Sequence, residues 1–208
     1  MHSFSLRRHG QYVPKYRVHE AIKIGKIIFP QLVLCRIAGA EKFQMTTKRI
    51  AVERYCLESS KSFDDVLAGL EKGIGRPKMA VLQPQLNEAP TFAEYRRLIE
   101  DAVGSAGLME FLRLDLGATL RKDPDAKSYR IVRIIAGNPL IMKRMVEHVP
   151  HAGSYAPVTI LVYESDGKVY ICYNKMESLL ASYQNAPALE VARDLDSKVI
   201  KLLQDAAG

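Results

Sequence analysis

The sequence has no tryptophan and only three cysteines, Cys35, Cys56 and Cys172, among 208 residues. Cysteines spaced so widely supply neither a zinc-site pattern nor a disulfide framework. Cys56 and Cys172 fall in strand-like runs, where an unpaired cysteine behaves as a small buried hydrophobe. A reducing, cytoplasmic compartment is the corresponding expectation. No apolar run reaches the ~18 residues that a membrane span needs. Also missing are Gly-x-Gly-x-x-Gly, the phosphate-loop Lys-Ser/Thr, the Gly-x-Ser-x-Gly elbow and His-Glu-x-x-His. No motif therefore assigns catalytic residues, a metal or a cofactor. A paired-carboxylate site stays open, because contacts between Asp and Glu residues do not show in a sequence.

What is present is ordinary globular material: 48% hydrophobic and 25% charged residues. That composition excludes disorder, collagen and a disulfide scaffold as whole-chain readings. The net charge of +7 points at first to an acidic partner. The excess is unevenly placed. Residues 1–44 carry eight basic groups and two acidic ones, whereas 45–208 carry 22 and 21. The chain thus divides into a basic leader, 1–44, and a nearly neutral domain, 45–208. The leader makes a poor signal peptide, since its best apolar run, 27–35, contains Pro30 and Gln31. A transit peptide, a nucleic-acid-binding tail and translation from Met45 are its other readings. Nucleic acid is not the expected partner of 45–208.

Within the domain, 48–58 read as a strand and Ser62 caps a helix carrying Asp64 and Asp65 in its first turn. Met79–Leu82 read as a short second strand, followed by a polar loop over 83–90. Thr91-x-x-Glu94 is a capping box for a helix running to about Ala106. Residues 109–121 alternate as a strand and pair back with 129–136. Asn138, followed by Pro139, caps a third helix. Asp166-Gly167 joins strands 157–164 and 168–174 as a hairpin, and a last helix covers about 188–206. Hairpins dominate, so the expected class is α+β, a single domain with a largely antiparallel sheet and helices packed to one side.

Several of these segments have the character of a known family. They are Ser62-Phe63-Asp64-Asp65-Val66, Gly137-Asn138-Pro139, Pro150-His151, the run from Ala156 through Tyr163-Glu164, Asp166-Gly167 and Tyr173-Asn174. Together they resemble the bacterial and archaeal family called domain of unknown function 302, over about 47–206. The stretch 83–106 looks longer than the family's usual link. The resemblance implies a compact α+β domain that tends to pair into a dimer; it implies no activity and carries no catalytic residues.

Five residues are candidates for a ligand site. Asn138 offers its amide beside a helix N-terminus, although capping alone accounts for it. Arg113 and Arg133 suggest an anion-binding patch on an open sheet face, against the plainer reading of ordinary ion pairs. His148 and His151 stand three apart, but Pro150 argues against the unbroken helix that a shared metal would require. Tyr163, Tyr170 and Tyr173 read as cross-strand packing rather than a base-stacking platform. The expected function is binding, either of a small anionic or apolar ligand between sheet and helices or of a second copy as a homodimer. The alternative is an enzyme of unrecognised class assembled from Arg113, Arg133, Asn138 and His148 or His151.

Overall fold

A computed structural model describes residues 46–208, so the basic leader 1–44 lies outside the described residues. Local signals set the helix starts. Ser62 accepts a hydrogen bond from the Asp65 amide and opens α1 (Phe63–Gly73). Thr91 does the same with the Glu94 amide for α3 (Phe92–Ala102). Asn138 accepts from the Leu140 amide at the head of α5 (Pro139–Val146), and Asn185 from the Ala188 amide at the head of α7 (Ala186–Ala207). Each oxygen satisfies a backbone donor that the helix cannot satisfy itself.

The strands are β1 (Arg54–Ser59), β2 (Ile74–Gly75), β3 (Leu108–Asp115), β4 (Ile131–Gly137), β5 (Val158–Ser165) and β6 (Lys168–Asn174). They form one six-stranded sheet in the order β1-β6-β5-β4-β3-β2. Every pairing is antiparallel except β2 with β3. Asp166 and Gly167, both at positive φ, turn β5 into β6, the geometry that two-residue hairpins favour. The α+β class with a mostly antiparallel sheet is as expected.

Several elements differ from expectation. Met79–Leu82 is not a strand but the start of α2 (Met79–Glu88), which contains Pro84. Leu82 and Leu86, one helical turn apart, are buried with Ile99 and Met109. That packing outweighs the hydrogen bond that exposed Pro84 costs the helix. The second strand is instead Ile74–Gly75, and a Cβ on Gly75 would stand 2.0 Å from the Ala102 carbonyl oxygen, so only glycine fits there. Also, β3 stops at Asp115, a short helix α4 (Gly117–Leu120) follows, and α6 (Met176–Ala181) was not foreseen.

The larger of two core clusters lies on one side of the sheet. Val66 and Leu70 of α1 and Leu195, Val199 and Leu203 of α7 bury against Ile134, Ile160, Val162 and Ile171. Tyr173 points into the same layer, and its hydroxyl donates to Asp196 Oδ1 at 2.6 Å. Asp196 also accepts from the Met176 and Glu177 amides at 2.7 and 3.0 Å. A carboxyl from α7 therefore caps α6, whose own N-cap residue, Lys175, makes no side-chain capping bond. Burial and the adjoining Asp196 push the Tyr173 hydroxyl pKa far above its ordinary value.

Candidate functional site

Strand alternation sends the other half of each strand's side chains to the opposite face. The register lines them up in rows across the strands. Cys56 stands opposite Cys172, Cys172 opposite Leu161, Leu161 opposite Arg133 and Arg133 opposite Leu114. A second row runs through Glu58, Tyr170, Tyr163 and Ile131. Of these rows Cys56, Cys172, Leu161, Arg133, Tyr163 and Ile131 line a trough of about 470 Å³ between β1 and β4, within the size range of small-molecule sites. Leu161 and Ile131 supply its apolar floor, together with a disulfide between Cys56 and Cys172.

That disulfide corrects the expectation of unpaired cysteines. The two residues are 116 apart in sequence, and only the β1–β6 register makes them neighbours. Cys56 is exposed and Cys172 buried.

Two arginines reach over the trough from opposite edges. Arg54 on β1 donates from Nε to the Asn174 side-chain oxygen on β6 at 2.9 Å. Arg133 on β4 donates from Nη2 to the Thr159 hydroxyl on β5 at 3.2 Å. Since β5 and β6 are adjacent, roughly 4.8 Å apart, the two guanidiniums converge on neighbouring strands. Among the described residues neither has a carboxylate partner, whereas Arg76, Arg97, Arg113, Arg121, Arg130 and Arg193 all do. Glu58 and Lys168, also on this face, pair at 2.6 Å, and the hydrogen bond from Lys168 holds Glu58 below its ordinary pKa.

Arg113 and Arg133 do not share a patch. Arg113 is opposite Ile134 in the register, on the helix side, while Arg133 is opposite Leu114 on the open side. Arg113 is bound instead to Glu71 and Glu110, at 2.5 and 2.6 Å. Partial burial opposes its charge, but these hydrogen bonds raise its pKa above the ordinary value.

Asn138 uses both ends of its amide. The oxygen caps α5 and the nitrogen donates to the Gly107 carbonyl at 2.9 Å. It borders an apolar cavity of about 190 Å³ with Phe111, Met145 and Leu195. His148 follows the other end of α5, about 15 Å from Asn138 at 1.5 Å per residue. His151 belongs to the 3-10 turn Pro150–Ser154 and stacks on Tyr183 at 5.5 Å. Among the described residues no three His, Cys, Asp or Glu side chains gather as metal ligands. The residues of the enzyme alternative are thus distributed over both faces of the sheet and both ends of α5.

The sequence does not single out two polar residues, Arg54 in the trough and Asp196 in the core. Arg54 alternates with Cys56 and Glu58 along β1, a period-2 signal for a shared face, but its neighbours depend on a pairing that the sequence does not specify. Asp196 lies on the apolar stripe of the last helix with Ala192, Leu195 and Val199, which marks it as a buried polar group in need of partners.

The model of the family described as Domain of unknown function DUF302 matches residues 85–206. The chain belongs to this family. The DUF302 match starts well after residue 47, where the resemblance was expected to begin. A crystal structure of an uncharacterised conserved DUF302 protein from Bacillus stearothermophilus has the same fold at a TM-score of 0.52 and 15% identity. The similarity covers 74% of this chain and 97% of the other. No curated protein matches the chain. No helix among the described residues of this DUF302 protein is long and apolar enough to cross a membrane.

Proposed function

We propose that the protein is a binding module whose open-face trough takes a small ligand with an oxyanion head and an apolar body. The observation that carries this is the convergence of Arg54 and Arg133, neither with a carboxylate partner among the described residues, above the apolar floor around Leu161. Arginine forks match carboxylate, sulfate and phosphate oxygens in pairs. The apolar floor gains from covering a hydrocarbon at about 25 cal/mol per Å². The trough replaces the site expected between sheet and helices, where the cavity of about 190 Å³ falls below the ~300 Å³ at which ligand pockets begin.

Calorimetric titration with hexyl phosphate and with hexanol tests the proposal. The phosphate ester binds, hexanol binds at least about tenfold more weakly, and Arg133→Ala removes the difference. Equal binding of both probes, or an unchanged preference in Arg133→Ala, rejects the oxyanion site.

A second reading, a homodimer, is favoured by the same face beyond the trough. Leu112 is 51% and Leu116 39% exposed at the β3 side, where Leu114 and Ile135 continue the apolar surface. Apolar strips of this kind mark interfaces. The cytoplasmic location expected from the cysteines rested on their being unpaired. With Cys56 bridged to Cys172 that premise is gone, and no compartment is proposed.

A further inference from the structure

The disulfide sits where a change in it would be felt by the trough. It crosses from β6 to β1, and β1 is an edge strand with no other sheet partner. Arg54 is two residues from Cys56 on the same face of that strand, while Arg133 stands on β4 inside the sheet. The bridge is therefore the covalent tie between the strand that carries one guanidinium and the body that carries the other. Its Cys56 end is exposed, and exposed disulfides are the ones that exchange readily. The neighbouring arginine also favours the thiolate form of a freed cysteine.

We propose that Cys56–Cys172 is a reversible thiol–disulfide switch that fixes Arg54 relative to Arg133 and so controls oxyanion binding in the trough. This rests on the reading of the trough as a ligand site. The reductant is a dithiol. Its first thiolate attacks the Cys56 sulfur, forming a mixed disulfide and releasing Cys172 as a thiolate that takes a proton from solvent. Its second thiol, losing its proton to solvent, attacks the mixed disulfide, which leaves the reductant oxidised and frees Cys56 as a thiolate that takes a proton in turn. Two electrons and two protons pass to the protein.

Other contacts keep β1 in place when the bridge opens. It retains its ladder with β6. The Ser59 hydroxyl donates to the Ala207 carbonyl at 2.7 Å, and Tyr55 and Leu57 pack on the core. At the Arg54 end the Glu53 amide donates to the Ser178 hydroxyl at 3.0 Å and the Glu53 carboxylate accepts from Lys175 at 2.7 Å, so reduction loosens this end only in part and does not unfold the domain.

The test titrates hexyl phosphate into oxidised protein, into protein reduced with dithiothreitol and desalted without air, and into Cys56→Ser/Cys172→Ser. Mass spectrometry confirms the thiol state, and amide hydrogen exchange is followed over 54–59 in each sample. Affinity about tenfold lower in the reduced protein and in the double variant, faster exchange in β1, and recovery on reoxidation are expected. Equal affinity in both redox states, unchanged exchange in β1, or loss of the far-ultraviolet dichroism on reduction overturns the switch while leaving the trough as a site. No binding by the oxidised protein overturns the trough reading, and the switch with it.

Discussion

The two faces of the sheet are built to different rules. On the helix side, apolar residues from α1 and α7 fill the space, Arg113 is held by two carboxylates, and Asp196 is saturated by a hydroxyl and two amides. On the open side, Leu112 is half exposed, two arginines have only neutral partners, and a disulfide lies in the floor of the trough. Adjacent residues of one strand, Ile134 and Arg133, belong to these different worlds. One face buries its side chains; the other leaves Arg54, Arg133 and Leu112 exposed.

The sharpest way to break this contrast is to mutate one polar residue on each side. Asp196→Ala strands the Tyr173 hydroxyl and the Glu177 amide, leaves the Met176 amide only its 3.3 Å bond to the Tyr173 oxygen, and should cost about 3 kcal/mol at one or more each. Arg133→Ala strands nothing buried and should stay within about 0.5 kcal/mol. Urea unfolding of both variants checks the pair, and similar losses would erase the distinction. Next in size, opening the Cys56–Cys172 bridge, which spans 116 residues, should lower stability by about 2–4 kcal/mol. Urea midpoints with and without reductant measure it, and an unchanged midpoint would leave the bridge without a stabilising role.

These two predictions also mark where the sequence is legible. Ser62, Thr91 and Asn138 announce their helices because a capping bond reaches only two or three residues. Asp166-Gly167 announces its hairpin for the same local reason. Met79–Leu82 misleads, because a short apolar run fits strand and helix alike and its helical state is decided by Leu82 and Leu86 meeting Ile99 from α3. The trough is least legible of all. Arg133 is visible as a candidate, but simple alternation pairs it with Arg113, which the irregularity between Glu110 and Leu112 leaves on the helix side. Arg54 and the disulfide depend on β1 pairing with β6 across more than a hundred residues.

A smaller effect concerns the exposed apolar strip. Leu112→Glu should leave the urea midpoint nearly unchanged, since half of the side chain is already in water. If the strip joins two copies, sedimentation velocity should shift from dimer to monomer in that variant. A wild type that is monomeric at all concentrations removes the homodimer reading.

The smallest expected effect is on pH. A hydrogen bond from Arg130 holds Asp64 below its ordinary value of 3.8, and one from Lys168 holds Glu58 below 4.5. A depressed folded-state value adds stability above the unfolded pKa and loses it as pH falls through the folded one. The loss should therefore begin near pH 4.5 and continue below 3.8. Because both carboxylates are at the surface the change is slight and screened by salt. Urea midpoints of wild type and Asp64→Asn between pH 3 and 6 should converge at the acid end; a constant gap would show that the pair contributes nothing through charge.

The most direct measurement of the central claim is a two-dimensional ¹⁵N–¹H spectrum recorded through a titration with hexyl phosphate. The account predicts shifts confined to the open face, at Arg54, Arg133, Thr159, Leu161, Cys172 and Asn174, saturating together with one affinity. Shifts gathered around Asn138 and Met145, or nowhere at all, would contradict it.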